Sequence, residues 1–116
     1  LIRLELPWPP SVNLIWRSVK GRVLLSREGR EYRRLVGNIV MIGRHPSMGR
    51  SAVKMTVDAY MPDNRRRDID NLNKAACDAL QAARVFEDDS QIVELHIRKA
   101  GIDRNRPRLD VTLEAV

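Results

Sequence analysis

The stretch Met61-Pro62-Asp63-Asn64-Arg65-Arg66-Arg67-Asp68-Ile69-Asp70-Asn71-Leu72-Asn73-Lys74 carries the chain from one periodicity to another. Before it, Val53, Met55, Val57, Ala59 and Met61 recur at every second residue, the spacing of a strand with one apolar face. After it, Ile69, Leu72, Ala75, Ala76, Ala79, Leu80 and Ala83 recur at the spacing of a helix with one buried stripe. Pro62 closes the strand because a proline donates no ladder hydrogen bond. Asp68 stands at the cap position of the helix, which is predicted from about Ile69 to Ala83. A strand, an arginine-rich loop and a helix therefore follow one another here.

Outward from this stretch, three more segments alternate at period two: Ile2, Leu4 and Leu6; Ile92 through Ile97; and Leu109, Val111, Leu113 and Ala115. Pro7, Pro9 and Pro10 close the first of these, and Pro107 precedes the last. A second helix is expected where Tyr32, Leu35, Val36, Ile39 and Val40 line up, with Ser26 as its N-cap. Between Trp16 and Leu25, the Lys20-Gly21 pair suits a tight hairpin turn. One-faced strands with helices between them predict an α+β fold. We expect a mixed or antiparallel sheet of about four strands with two helices on its apolar face, and residues 1–116 as a single domain.

The charge excess narrows the partners. The chain carries 21 Lys and Arg against 15 Asp and Glu, a net charge of +6. Arginine dominates that excess, and a guanidinium pairs with phosphate through two parallel hydrogen bonds, so nucleic acid is the expected partner. Arg65, Arg66 and Arg67 form one basic run, and Arg30, Arg33 and Arg34 share the polar face of the first helix. The longest apolar run, Ile39 to Ile42, is too short to span a bilayer, so no membrane partner is expected. The strand-like start gives no sign of a signal peptide. Cys77 is the sole cysteine, which rules out an intrachain disulfide and a thiolate zinc site and suits a reducing cytoplasm.

Against this basic background the acids are concentrated. At 100° per residue, Asp70, Lys74 and Gln81 point away from the buried stripe of their helix. About fifteen residues on comes Glu87-Asp88-Asp89-Ser90, in the loop that leads to the next strand. Carboxylates without soft ligands suit Mg²⁺, which takes oxygen donors and keeps several waters. Such an ion activates water and polarises a phosphoryl oxygen. Lys74 is placed to stabilise charge on the phosphorus or the leaving oxygen, and the arginines to hold a backbone that the acids would repel. Each feature has a plainer reading. Asp at a helix start caps amides, Asp70 and Lys74 form an i, i+4 surface pair, and Asp88-Asp89 makes a turn. On that reading the protein is a junction- or duplex-DNA-binding module without catalysis; a metal-dependent ribonuclease is a third reading, in which the acids are active. Trp8, Trp16 and Phe86 are available to stack on unpaired bases, in competition with core packing. His45 and His96 have no partner at metal-ligand spacing.

These residues resemble those of the RusA family of Holliday junction resolvases, small endodeoxyribonucleases of bacteria and their phages. The resemblance begins at Leu6-Pro7-Trp8-Pro9-Pro10-Ser11-Val12-Asn13, peaks at Arg67-Asp68-Ile69-Asp70-Asn71-Leu72-x-Lys74-Ala75 and ends at Asp88-Asp89-Ser90-Gln91-Ile92-Val93. It implies a Mg²⁺-dependent homodimer, with Mn²⁺ as a substitute ion and no organic cofactor. Such a dimer cuts two opposing strands of a four-way DNA junction. Carried over by motif, the metal-binding and catalytic acids are Asp68, Asp70 and Asp89, with Asp88 adjacent. Lys74 is the catalytic lysine and Arg67 a basic, DNA-contacting residue. Two departures stand out: Arg84 occupies a place where many relatives have Gly, so a different helix end is expected, and Asn64 interrupts the basic run. Two symmetric cuts in a two-fold junction call for two chains, each with one acid cluster.

Overall fold

The computed structural model describes residues 1–11 and 16–116; Val12 and Asn13 of the resemblance, and the side chain of Trp16, lie outside the described residues. Its elements follow in the order β1 (Ile2–Pro7), β2 (Trp16–Val19), β3 (Arg22–Leu25), α1 (Arg27–Ile42), β4 (Val53–Met61), α2 (Ile69–Ala82), a short 3-10 turn (Asp89–Gln91), β5 (Ile92–Ile102) and β6 (Arg108–Ala115). Four strands form one sheet in the order β1-β6-β4-β5, and β2 and β3 form a separate hairpin. β1 and β4 both run antiparallel to β6, whereas β4 and β5 are parallel. The sheet is therefore mixed, and the fold is α+β as the periodicities indicate.

The alternating residues supply the core. Ile2, Leu4 and Leu6, Val53 to Ala59 at alternate positions, and Leu109, Val111 and Leu113 are all buried on one face. Tyr32 and Val36 of α1 and Leu72, Ala76, Ala79 and Leu80 of α2 pack onto them in one cluster. Phe86, entirely buried, joins that cluster and cannot stack on a base. Trp8 is half-buried against the same core. Leu35, assigned to the apolar stripe of α1, stays 37% exposed at its margin.

Local chemistry sets the element ends. Ser26 caps α1 by accepting from the Gly29 amide at 3.1 Å. Lys20 and Gly21 both adopt positive φ, 51° and 76°, as a two-residue hairpin turn of the primed type requires. The end of α2 does not depart from the glycine pattern. Arg84 takes the left-handed conformation at φ 61°, its amide donates to Gln81 O, and the Val85 amide donates to Leu80 O. That is the Schellman closure usually given to glycine, with Val85 and Leu80 buried beneath it.

The parallel pairing of β4 and β5 positions everything that follows. A strand, a helix and a parallel strand form a crossover, so α2 runs back along the sheet. Its start lies at the carboxyl end of β4, and the loop after it returns to the opposite end, where β5 begins. Asp68 and Asp70 stand at the first of these ends, and Asp89 lies toward the second.

Candidate active site

Most of the fifteen acidic side chains are taken up by arginine, histidine or backbone partners. Five form no hydrogen bond or ion pair among the described residues: Glu28, Asp68, Asp70, Asp89 and Glu114. Three of those five are the acids singled out by the sequence. Asp68 occupies the N-cap of α2, yet its carboxylate makes no cap hydrogen bond. Only its carbonyl accepts, from the Asn71 and Leu72 amides. Asp70 and Lys74 are both exposed and form no ion pair with each other. The plainer readings of these residues, a cap and a surface pair, are not realised.

The loop resolves its two neighbouring acids differently. Asp88 is a true cap: its carboxylate accepts from the Ser90 amide at 3.0 Å, and Gln91 closes the capping box by accepting from the Asp88 amide at 2.9 Å. The Ser90 hydroxyl and amide hold the Asp88 carboxyl below its ordinary pKa. Asp89 keeps an exposed, unpaired carboxylate, while its amide donates to Gln81 Oε1 at 3.1 Å. It also lies close enough to Cys77 to add to the rise of that thiol, which burial chiefly, with the charges of Asp89 and Asp78, pushes up to about 11. Cys77 is a packed side chain, not a nucleophile.

The loop acid does fold back onto α2, but toward Cys77 and Gln81. Those residues lie two to three turns beyond Asp70, roughly 10–16 Å along the helix axis. Among the described residues no three His, Cys, Asp or Glu side chains stand together at metal-holding distance. The expected gathering of Asp68, Asp70 and Asp89 around one ion is thus not found within a single chain. The reason is the parallel crossover, which puts the start of α2 and the start of β5 toward opposite ends of the sheet.

Beside Asp68 opens a cleft of about 760 Å³ lined by Trp8, Pro9, Pro10, Ser11, Arg66, Arg67, Asp68, Asn71, Leu72 and Lys99. Arg67 is its fixed wall: only 19% exposed, it pairs with Asp63 at 2.7 Å and lies 5.4 Å over the Trp8 ring. Arg66 is exposed at the rim and Arg65 projects to solvent, loosely facing Asp63 at 3.8 Å. Lys99 reaches across from β5 to the Arg67 carbonyl. The sequence reading missed Lys99, because its place in the cleft follows from strand pairing, which has no local signal.

The basic face of α1 is mostly committed to the fold. Arg33 forms a bidentate pair with Asp78 of α2, at 2.9 and 2.7 Å, and joins the two helices. Arg34 pairs with Glu31, and Arg30 donates to the Leu25 carbonyl at 2.9 Å. Of the three, Arg33 is the least suited to hold a phosphate.

A family model described as Endodeoxyribonuclease RusA matches residues 7–114. Crossover junction endodeoxyribonuclease RusA of Escherichia coli K12 is 40% identical over 110 residues, 95% of this chain and 91% of that protein. The protein of the same name from Enterobacteria phage 82 is 40% identical over 111 residues, with the same coverage. The relative from Shigella sonnei is likewise 40% identical over 110 residues. With its unpaired aspartates falling on the motif that carries the resemblance, this chain belongs to the RusA endodeoxyribonuclease family.

Proposed function

We propose that this chain is a Mg²⁺-dependent endodeoxyribonuclease that resolves four-way DNA junctions by paired nicks, acting as a homodimer in the bacterial cytoplasm. One observation carries the reading. In a protein of net charge +6 with most acids already paired, the carboxylates left open are those of the family motif, beside a basic cleft. A DNA-binding module without catalysis would be expected to cap α2 with Asp68 and to pair Asp70 with Lys74; neither contact is made.

The donors suit the ion. Asp68 and Asp70 offer hard carboxylate oxygens, and Mg²⁺ is commonly held by one or two carboxylates together with waters and substrate phosphates. When bound, it supplies an activated water and charge stabilisation at phosphorus, chemistry that Mn²⁺ can also provide. The rest is the work of the chain. Arg66 and Lys99 hold the phosphate backbone over the cleft, where their charge offsets the repulsion from Asp68 and Asp70. Arg67, locked by Asp63 and Trp8, keeps the approach to Asp68 in shape. Lys74, one turn from Asp70 and unpaired, stabilises the leaving oxygen and returns a proton to it. The oxygen of water bonds to phosphorus as the P–O3′ bond breaks, leaving a 5′-phosphate and a 3′-hydroxyl.

The test is a substrate panel: a four-way junction, a linear duplex of the same sequence and a folded RNA, each incubated with Mg²⁺. Paired nicks in the junction alone are the expected result. Salt-sensitive junction binding with no cleavage in Mg²⁺ or Mn²⁺ would establish a binding module instead, and preferential cleavage of the RNA would establish a ribonuclease.

A further inference from the structure

Both helices end in the same way, and each end breaks the same local rule. At the end of α1 the Arg44 amide donates to Met41 O and the His45 amide to Val40 O. At the end of α2 the Arg84 amide donates to Gln81 O and the Val85 amide to Leu80 O. These are two Schellman closures, and the residue that turns each one is left-handed, with φ 52° at Arg44 and 61° at Arg84. Glycine takes that conformation freely, whereas a side chain is strained in it. The chain has a glycine at the first closure, but one residue early. Gly43 makes room for the His45 ring, which a Cβ there would meet at 2.5 Å. Arginine thus stands twice where glycine is the less strained residue, and broken local rules of this kind concentrate at functional sites.

The helix dipole does not account for the pair. The carbonyls at a helix end favour a cation, but one within the last turn meets that need without strain, and neither last turn holds one. Nor does either guanidinium donate to a helix carbonyl or join an ion pair among the described residues. Both open instead onto one groove. The Arg33–Asp78 pair holds α1 and α2 together, and the groove between their last turns, of about 610 Å³, is lined by Arg34, Met41, Arg44, His45 and Arg84 with their neighbours. Among the described residues no Asp or Glu lines it. Arg34 is paired with Glu31, which leaves Arg44 and Arg84 as its exposed, uncommitted guanidiniums. The groove shares no residue with the cleft beside Asp68. It lies at the far end of α2, roughly 20 Å from Asp70 along the helix axis, which is less than one turn of duplex, about 34 Å.

We propose that this groove is a second DNA contact, in which Arg44 and Arg84 each hold a phosphate of a duplex arm outside the cleft. A guanidinium binds phosphate through two parallel hydrogen bonds, and the same turn on neighbouring helices presents two of them together. The inference rests on reading the substrate as DNA and adds a contact remote from the acids. These arginines touch no reacting atom; they hold and orient the arm.

The experiment uses the whole chain with Arg44→Gly and Arg84→Gly, singly and together. Affinity for a duplex and for a four-way junction is measured across a salt series, beside urea unfolding of the same preparations. Glycine relaxes the turn and removes the guanidinium, so the two readouts move in opposite directions. Each single variant is more stable than the unchanged chain, yet the slope of log K against log salt becomes shallower by about one. The double variant loses about two from that slope and binds about tenfold more weakly. Arg3→Ala takes the same charge from the face of the sheet away from the buried core and leaves the slope in place. Glycine variants that gain stability but keep the unchanged slope would overturn the proposal. So would an equal loss from Arg3→Ala, since net charge alone would then explain the effect. Cleavage by the unchanged chain together with an unaltered slope in the glycine variants would strike the groove and spare the nuclease reading; an unchanged chain that binds no DNA would strike both.

Discussion

Asp88 and Asp89 are adjacent in sequence and differ in what they do. Asp88 closes a capping box, and Asp89 leaves its carboxylate open. Asp88→Asn is therefore expected to lower the melting temperature while junction cleavage survives, and Asp89→Asn to leave the melting temperature in place while cleavage falls by at least about a hundredfold. Thermal melts and gel-based cleavage assays on the same preparations check both halves. Because the folded pKa of Asp88 is depressed, its contribution is present above the unfolded value, near 4, and disappears as pH falls through the folded one. The melting temperatures of Asp88→Asn and the unchanged chain should accordingly converge in acid. Arg84 offers a second test at this scale, since its left-handed φ costs a side chain about 1 kcal/mol that glycine does not bear. Arg84→Gly is expected to raise stability by about that amount in urea unfolding. The motif made the open acids legible in the sequence. Which of two neighbouring aspartates is a cap was not, because the answer depends on where Gln91 turns its amide.

At the scale of elements, α1 and α2 are joined by a clamp that their sequences do not announce. Arg33 and Asp78 lie 45 residues apart and meet in a bidentate pair with each side chain about one-third exposed. Periodicity places both on polar helix faces, and a polar face reads equally well as a DNA surface or as a helix–helix contact. Packing decides for the contact. Arg33→Ala is expected to cost about 1–2 kcal/mol of stability in urea unfolding, discounted for its partial exposure, and to change junction affinity less than Arg66→Ala does. The strands and helices themselves were legible, because each buries one stripe whose spacing names the element: Val53 to Met61 at two, Ile69 to Ala83 near 3.6. The hairpin of β2 and β3 was legible for a different reason, the Lys20-Gly21 turn.

At the scale of the molecule, the decisive fact is that β4 and β5 are parallel, and nothing in a one-faced strand says which neighbour it will take. From the sequence the return loop was expected to complete a three-acid centre. The crossover instead leaves Asp68 and Asp70 at one end of α2 and Asp89 two to three turns away, beside Cys77 and Gln81. The same pairing carries Lys99 into the cleft beside Arg66, where we propose that both hold the phosphate backbone. Arg66→Ala and Lys99→Ala should each weaken binding to junction and duplex alike and lower the salt dependence of affinity by about one phosphate contact. Filter binding across a salt series measures that slope. The account as a whole stands on Asp70, open at the start of α2 with Lys74 one turn away. Its most direct test compares Asp70→Asn with the unchanged chain on a four-way junction in Mg²⁺, with binding measured in parallel. We predict that cleavage is lost while the junction is still bound; undiminished nicking by Asp70→Asn would contradict the account.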